Sequence, residues 1–371
     1  VEVWLLDLPS DGENVNSLAA KGLERLKDPD MPGLMSEEAE KLIKIGNTRD
    51  HFQELEDCDW IAEAVVERLD IKQSLYQRLN ESCKEATIIT SNTSTIPISL
   101  LTKGMPKKFC ERFAITHFFN PVRFMRLLEL VRGEFTRDDV INTLDLFSET
   151  MLGKGVVSCS DTPGFLANRV GVFAIQCALH KAFEYKLSPT EADAFFGRPL
   201  GLPKTGVFGL YDLIGIDLMA DVVKSLVSIL PENDVFHKYS SPIEIMTDMI
   251  ANGQTGNKNE KGFYKQVGDE RQVIDLSSGN YGVHERLKTP LLEEAEKIGI
   301  SFIIKDTSTY GLYIWDVISE TLCYAASLVP EVTDDLTQID DAMKLGYNWV
   351  QGPFELLDEI GIEYFVDRLK V

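Results

Sequence analysis

The stretch at 110–132, CERFAITHFFNPVRFMRLLELVR, narrows the choice of fold more than any other part of the chain. Two apolar runs flank Asn120-Pro121: Phe113, Ala114, Ile115, Phe118 and Phe119 before it, and Leu127, Leu128, Leu130 and Val131 after it. Proline has no amide donor and a fixed φ, so Pro121 suits a turn and not a strand. The pattern predicts two short strands folded back on each other. His117 closes the first run and Glu129 sits inside the second. An ionisable residue inside an apolar run needs a partner, because an unpaired buried charge is costly. Folded-back strands let the two meet. A carboxylate on one imidazole nitrogen fixes the tautomer and leaves the other nitrogen as a proton acceptor. On spacing alone, a purely structural His–Glu pair explains the residues as well.

The rest of the first half continues in strands and helices. Residues 1–8 (VEVWLLDL) read as a buried parallel strand with Asp7 at its end. Residues 14–26 place Leu18, Leu23 and Leu26 on a helix, and 38–45 mix helix and strand signals. Strands are predicted at 60–66 (WIAEAVV), 86–89 and 155–160, and helices at 69–79, 96–101 and 137–152. This rhythm argues a parallel sheet with crossover helices. At Asp161 the character changes. DTPGFLANRV opens a long helical segment to about Lys186, with Pro163 near its start. From there the chain reads as mostly helical, with a second, weaker boundary in the polar stretch 253–262.

The second half repeats itself. GVFGLYDLIGID at 206–217 and GPFELLDEIGIE at 352–363 share Gly, Phe, Leu, Asp, Ile, Gly and Ile in order. Asp193-Ala194 and Asp341-Ala342 lie upstream at a similar distance, and a helix with an alanine cluster precedes each. This suggests one helical module used twice, able to bury a face against its copy. Chance similarity of two helix caps is the alternative.

Composition sets the outer bounds. A chain of 371 residues suggests two or three domains. Its net charge of −22 argues against nucleic acid as a partner. Any anionic ligand must be held by local cations or helix N-termini against that field. The six cysteines are scattered without a CxxC pair, which is neither a zinc pattern nor a disulfide framework. No metal is expected, and a reducing, cytoplasmic setting fits. No apolar run approaches the roughly 18 residues of a membrane span, and no signal peptide is expected.

SNTST at 91–95, HFFNP with Glu129 downstream, and DTPGFLANR together resemble the L-3-hydroxyacyl-CoA dehydrogenases of fatty-acid oxidation, over nearly the whole chain. The resemblance implies a Rossmann-like α/β domain at 1–160 and two related all-α domains at 161–260 and 261–371. It implies NAD-dependent oxidation of a 3-hydroxyacyl-CoA thioester. His117 becomes the general base and Glu129 its orienting carboxylate. Ser94 bonds the substrate hydroxyl, Asn168 helps hold the reacting group, and Asn120 lines the same pocket. On the cofactor side, Asp7 matches the ribose-binding acid that favours NAD over NADP. Ala64, Glu67, Lys72 and Asn92 fall among the cofactor contacts. Read without the resemblance, Asp7 is a turn residue, Glu67 and Lys72 a solvated pair near a helix start, and SNTST a polar loop.

The chain also departs from the family. The Gly-x-Gly-x-x-Gly turn belongs about 20 residues before the ribose acid. Asp7 stands too near the first residue for that. The first strand and the pyrophosphate cradle are therefore expected to be missing here but present in the native protein, with weak or absent NAD binding by this chain. Longer members carry the helical module twice, often with an enoyl-CoA hydratase domain on the same polypeptide, so a hydratase domain or subunit is an implied partner. With two copies in one chain, dimerisation through the module is not required. The first copy is expected to wall the active site and the second to be structural. Cations in 14–44 are expected to hold the CoA phosphates, and GNKNEKGFY at 256–264 to serve packing. His51, His180, His237 and His284 read as surface or packing residues. Two rivals stand beside this reading: a related β-hydroxyacid dehydrogenase, and a non-catalytic CoA-ester-binding or scaffolding module.

Overall fold

The apolar runs of the first half become strands in the computed structural model, which describes residues 1–370. Val371, the expected end of the second helical domain, lies outside the described residues. The strands are β1 (Val3–Asp7), β2 (Ile43–Asn47), β3 (Trp60–Glu63), β4 (Ile88–Ser91), β5 (Phe113–Phe118), β6 (Leu127–Arg132) and β7 (Gly155–Cys159). One sheet has the order β3-β4-β5-β6-β7. Its pairs are parallel except β5 with β6, the antiparallel return predicted around Asn120-Pro121. β1 and β2 pair in parallel as a sheet of their own. Among the described residues, β1 and β3 therefore each have a single neighbour. The ambiguous 38–45 stretch holds both structures: a 3-10 turn at Glu37–Leu42 runs straight into β2.

Both faces of the five-stranded sheet are covered, which is why β5 and β6 read as near-continuous apolar runs. Successive strand residues point to opposite faces. On one face Phe113 packs with Tyr76 of the helix Leu69–Ser82 and with Phe109, ring centroids 5.1 and 5.6 Å away. On the other, Ala114 and Leu130 pack with Val140 and Leu144 of the helix Asp138–Thr150. The first compact unit is Val1–Asp161.

The second unit begins at Thr162. The helix Ala167–Glu184 is buried along most of its length and packs on the helix Thr309–Ser327. Phe173 stacks on Tyr324 with centroids 4.2 Å apart. Arg169 reaches the Tyr324 hydroxyl at 3.2 Å and Glu331 at 2.7 Å, and also pairs with Asp234.

The two similar segments take similar forms. Asp193 accepts the Phe208 and Gly209 amides at 2.7 and 3.0 Å, at the start of the helix Phe208–Ile214. Asp340 accepts the Phe354 amide at 2.7 Å, at the start of the helix Pro353–Ile360. A Cβ on Gly206 would lie 2.4 Å from the Asp193 backbone, and one on Gly352 would lie 2.2 Å from that of Asp340. Only glycine permits either approach. The aspartate that corresponds to Asp193 is thus Asp340. Asp341, expected from the sequence, instead pairs with Lys344 at 3.1 Å.

Two expectations change here. The second half is not all-α: β8 (Tyr264–Val267), β9 (Glu270–Ile274) and β10 (Tyr281–Val283) form an antiparallel sheet. Gly268, at φ 60°, permits the tight turn between β8 and β9. Residues from 162 onward also gather in one unit rather than dividing at 260/261. The Phe263 and Tyr264 amides bind the Asp212 carboxylate at 2.8 and 2.7 Å, which ties the 256–264 loop to the helices before it. Farther on, Tyr310 donates to Glu191 at 2.6 Å and the Val350 amide to the Gly201 carbonyl at 2.8 Å.

Candidate active site

Because β3, β4 and β5 are parallel, their carboxyl ends share one edge of the sheet, where open α/β folds place their ligands. β5 ends at His117 and Phe118, β4 runs out into Asn92, Thr93, Ser94 and Thr95, and β3 into Ala64. The Asn92 side-chain oxygen accepts the Phe118 amide at 2.9 Å and so ties the β4 and β5 ends together. The antiparallel register sets Glu129 directly opposite His117. Imidazole Nδ1 lies 2.6 Å from Glu129 Oε2, and Glu129 is fully buried. Cys159 Sγ lies 3.9 Å from Glu129 Oε1, and the Phe119 ring stands edge-on to His117 with centroids 5.2 Å apart. A carboxylate on Nδ1 leaves Nε2 as the nitrogen that exchanges a proton. The arrangement can take a proton from a hydroxyl and stabilise the resulting imidazolium.

Comparison with known proteins gives the family to which this edge belongs. Residues 1–162 match the family description "3-hydroxyacyl-CoA dehydrogenase, NAD binding domain", and residues 164–266 match "3-hydroxyacyl-CoA dehydrogenase, C-terminal domain". A probable 3-hydroxyacyl-CoA dehydrogenase of Deinococcus radiodurans is 36% identical over 272 residues, 73% of this chain and 78% of the relative. The chain belongs to the 3-hydroxyacyl-CoA dehydrogenase family. A putative fatty acid oxidation complex trifunctional enzyme of Rickettsia prowazekii is 38% identical over 366 residues, 96% of this chain and 49% of the relative. The chain thus spans about half the length of such longer curated relatives. The solved 3-hydroxybutyryl-CoA dehydrogenase of Escherichia coli shares the fold, with a TM-score of 0.72 at 23% identity over 100% of this chain and 88% of that one.

Against that family background, the cofactor-side residues divide. Asp7 ends β1 exposed, its carboxylate accepting its neighbour Leu8's amide at 2.7 Å. An available acid at the carboxyl end of a parallel strand fits the adenosine ribose of NAD. Ala64 is exposed and Asn92 half-buried. Glu67 accepts the Thr95 hydroxyl at 2.8 Å and that of Thr93 as well. Burial pushes its carboxyl up, but the two threonine hydroxyls and the Lys72 charge outweigh that and hold it below the ordinary glutamate range.

Lys72, expected among the cofactor contacts, lies inside the fold. Its ammonium is buried and binds Glu63 at 2.7 Å, Glu67 at 3.3 Å and the Val65 carbonyl at 3.3 Å. Three oxygens therefore lie within 3.3 Å of its Nζ. Lys72 supports Glu67. Glu63, Tyr76, Thr93 and Thr95 belong to the same network, and an acid inside WIAEAVV carries the same signal as Glu129.

The remaining assigned residues are dispersed. Ser94 is half-buried between Thr93 and Thr95, and Asn120 is exposed at the cis bond to Pro121. Asn168 lies in the first turn of the helix Ala167–Glu184, in the second unit. The other histidines have local contacts. The Asn47 amide donates to His51 Nδ1 at 3.3 Å, and His237 Nε2 lies 2.8 Å from the Pro231 carbonyl. Burial pushes the values of His180 and His284 down. No helix among the described residues is long and apolar enough to cross a membrane.

Proposed function

We propose that the protein oxidises a (S)-3-hydroxyacyl-CoA thioester to the 3-oxoacyl-CoA in fatty-acid oxidation. The observation that carries this is the His117 Nδ1–Glu129 Oε2 contact of 2.6 Å at the carboxyl edge of the sheet. His117 Nε2 takes the proton of the 3-hydroxyl as hydride leaves C3. Glu129 keeps the ring oriented and stabilises the imidazolium. Ser94 donates to the substrate oxygen. NAD, when bound, supplies the hydride acceptor, with Asp7 on its ribose and Ala64, Glu67 and Asn92 near its nicotinamide half. Asn120 and Asn168 complete the substrate contacts that the family resemblance implies.

The open edges of β1 and β3 support one further parallel strand in the native sheet, together with the glycine turn that holds a pyrophosphate. The matching geometry at Gly206 and Gly352 supports one helical module used twice, so that dimerisation through it is not required. The trifunctional name of the Rickettsia relative supports an enoyl-CoA hydratase domain or subunit as partner. Acetoacetyl-CoA-dependent oxidation of NADH, by a chain extended at its N-terminus to carry the glycine turn, tests the reading. His117→Gln is expected to lower turnover by roughly 10²–10⁴-fold. Native turnover in that variant would contradict it.

A further inference from the structure

Glu63, at the end of β3, is 3% exposed, and both of its oxygens are fully used. Oε1 accepts the Lys72 ammonium at 2.7 Å and the Val65 amide at 2.7 Å. Oε2 accepts the Tyr76 hydroxyl at 2.5 Å and the Ser91 hydroxyl at 2.7 Å. Lys72, held in this way, also reaches Glu67 Oε2 at 3.3 Å. Glu67 Oε1 in turn takes the hydroxyls of Thr93 and Thr95. Thr93 Oγ1 accepts the Ile96 amide at 3.0 Å, and Ser91 Oγ accepts the Thr93 amide at 3.3 Å. An unbroken chain of polar contacts therefore runs from the sheet core to both flanks of Ser94. Stability alone is a poor reason for it, since a buried ion pair is no better than well-packed apolar residues of similar volume. What such a chain supplies is geometry. Its far end, Glu67, remains 39% exposed, and it grips the residues on either side of the serine.

We propose that Glu63 and Lys72 are positioning residues that act through Glu67 to hold residues 93–95 and so fix the Ser94 hydroxyl for the substrate. The role of Ser94 rests on the dehydrogenase reading. The restraint on the loop does not, and it can be read without turnover.

Hydrogen–deuterium exchange of amides 91–97 in the full chain tests the restraint. Glu67→Gln and Lys72→Met are each expected to speed exchange there by about tenfold, as for loss of one hydrogen bond to a charged group. Amides of β5 and β6 should stay as protected as in the native chain. Thr95→Val should show a smaller rise and Thr95→Ser, which keeps the hydroxyl, none. In the dehydrogenase assay, kcat should fall in the order of these exchange changes, with Thr95→Ser near native. Native exchange at 91–97 in folded Glu67→Gln and Thr95→Val would overturn the proposal. So would faster exchange with unchanged kcat. If Lys72→Met does not fold, the Glu67 and Thr95 variants alter a partly exposed contact and still decide the matter. An N-terminally extended chain of native sequence without turnover would count against the dehydrogenase reading, while the exchange data would still judge the restraint.

Discussion

Two glutamates interrupt apolar strands in the first unit, and they face opposite kinds of partner. Glu129, on β6, faces the His117 imidazole, whose Nδ1 lies 2.6 Å from its Oε2. Glu63, on β3, faces a lysine, a tyrosine, a serine and a backbone amide that fill both of its oxygens. Both acids are buried, and both have close partners. What separates them is the chemistry of the partner. Imidazole has two nitrogens with distinct roles. The Lys72 ammonium can only donate, and it faces Glu63, Glu67 and the Val65 carbonyl. Burial of an acid by itself says little about chemistry. The state of its partner says much more.

The comparison can be broken at either glutamate. Glu129→Gln keeps the size of the side chain and removes its charge. Turnover is expected to fall by roughly 10²–10⁴-fold, with the chain still folded by circular dichroism. Glu63→Gln leaves Lys72 without its closest anion inside the sheet domain. Breaking a buried pair costs about 3–5 kcal/mol, which should appear as a lower urea midpoint. If Glu63→Gln left the midpoint unchanged while Glu129→Gln unfolded the chain, the two roles would be reversed.

A half-buried acid of the second unit, Asp193, sharpens the contrast with a smaller effect. Asp193 has amide and hydroxyl donors, and no lysine or arginine is among its hydrogen-bond partners. Burial pushes its carboxyl up to about 7, although the Tyr264 hydroxyl and the backbone amides act the other way. The folded chain therefore holds this proton more tightly than the unfolded chain. Its stabilising contribution is full below the ordinary aspartate value of about 4 and is lost as pH rises through about 7. Asp193→Asn should flatten the decline in urea midpoint across that window. An unchanged slope would remove Asp193 from the account.

How legible these features were depends on how far apart their parts lie in the chain. The β5–β6 return was readable because its two apolar runs, its turn proline and its two ionisable residues fall within a single short stretch. The predicted 60–66 strand ends early, at Glu63, because that carboxylate turns back onto the Val65 amide. Lys72 was placed correctly on a helix, but helix spacing does not reveal which way an ammonium turns. That required Glu63, which lies on a different element. The β8–β10 sheet was missed because its short strands carry Lys265, Gln266, Glu270 and Arg271 and show no apolar run. Asp340 and Asp341 are adjacent acids, and only the collision that Gly352 avoids tells them apart.

The most direct test of the central claim is the protonation state of the His117 ring, read by nitrogen-15 NMR of the histidine side chains. The account predicts a proton on Nδ1, shared with Glu129, and a bare Nε2 in the neutral ring, with that preference lost in Glu129→Gln. A neutral His117 carrying its proton on Nε2, or one whose tautomer is indifferent to Glu129→Gln, would contradict it.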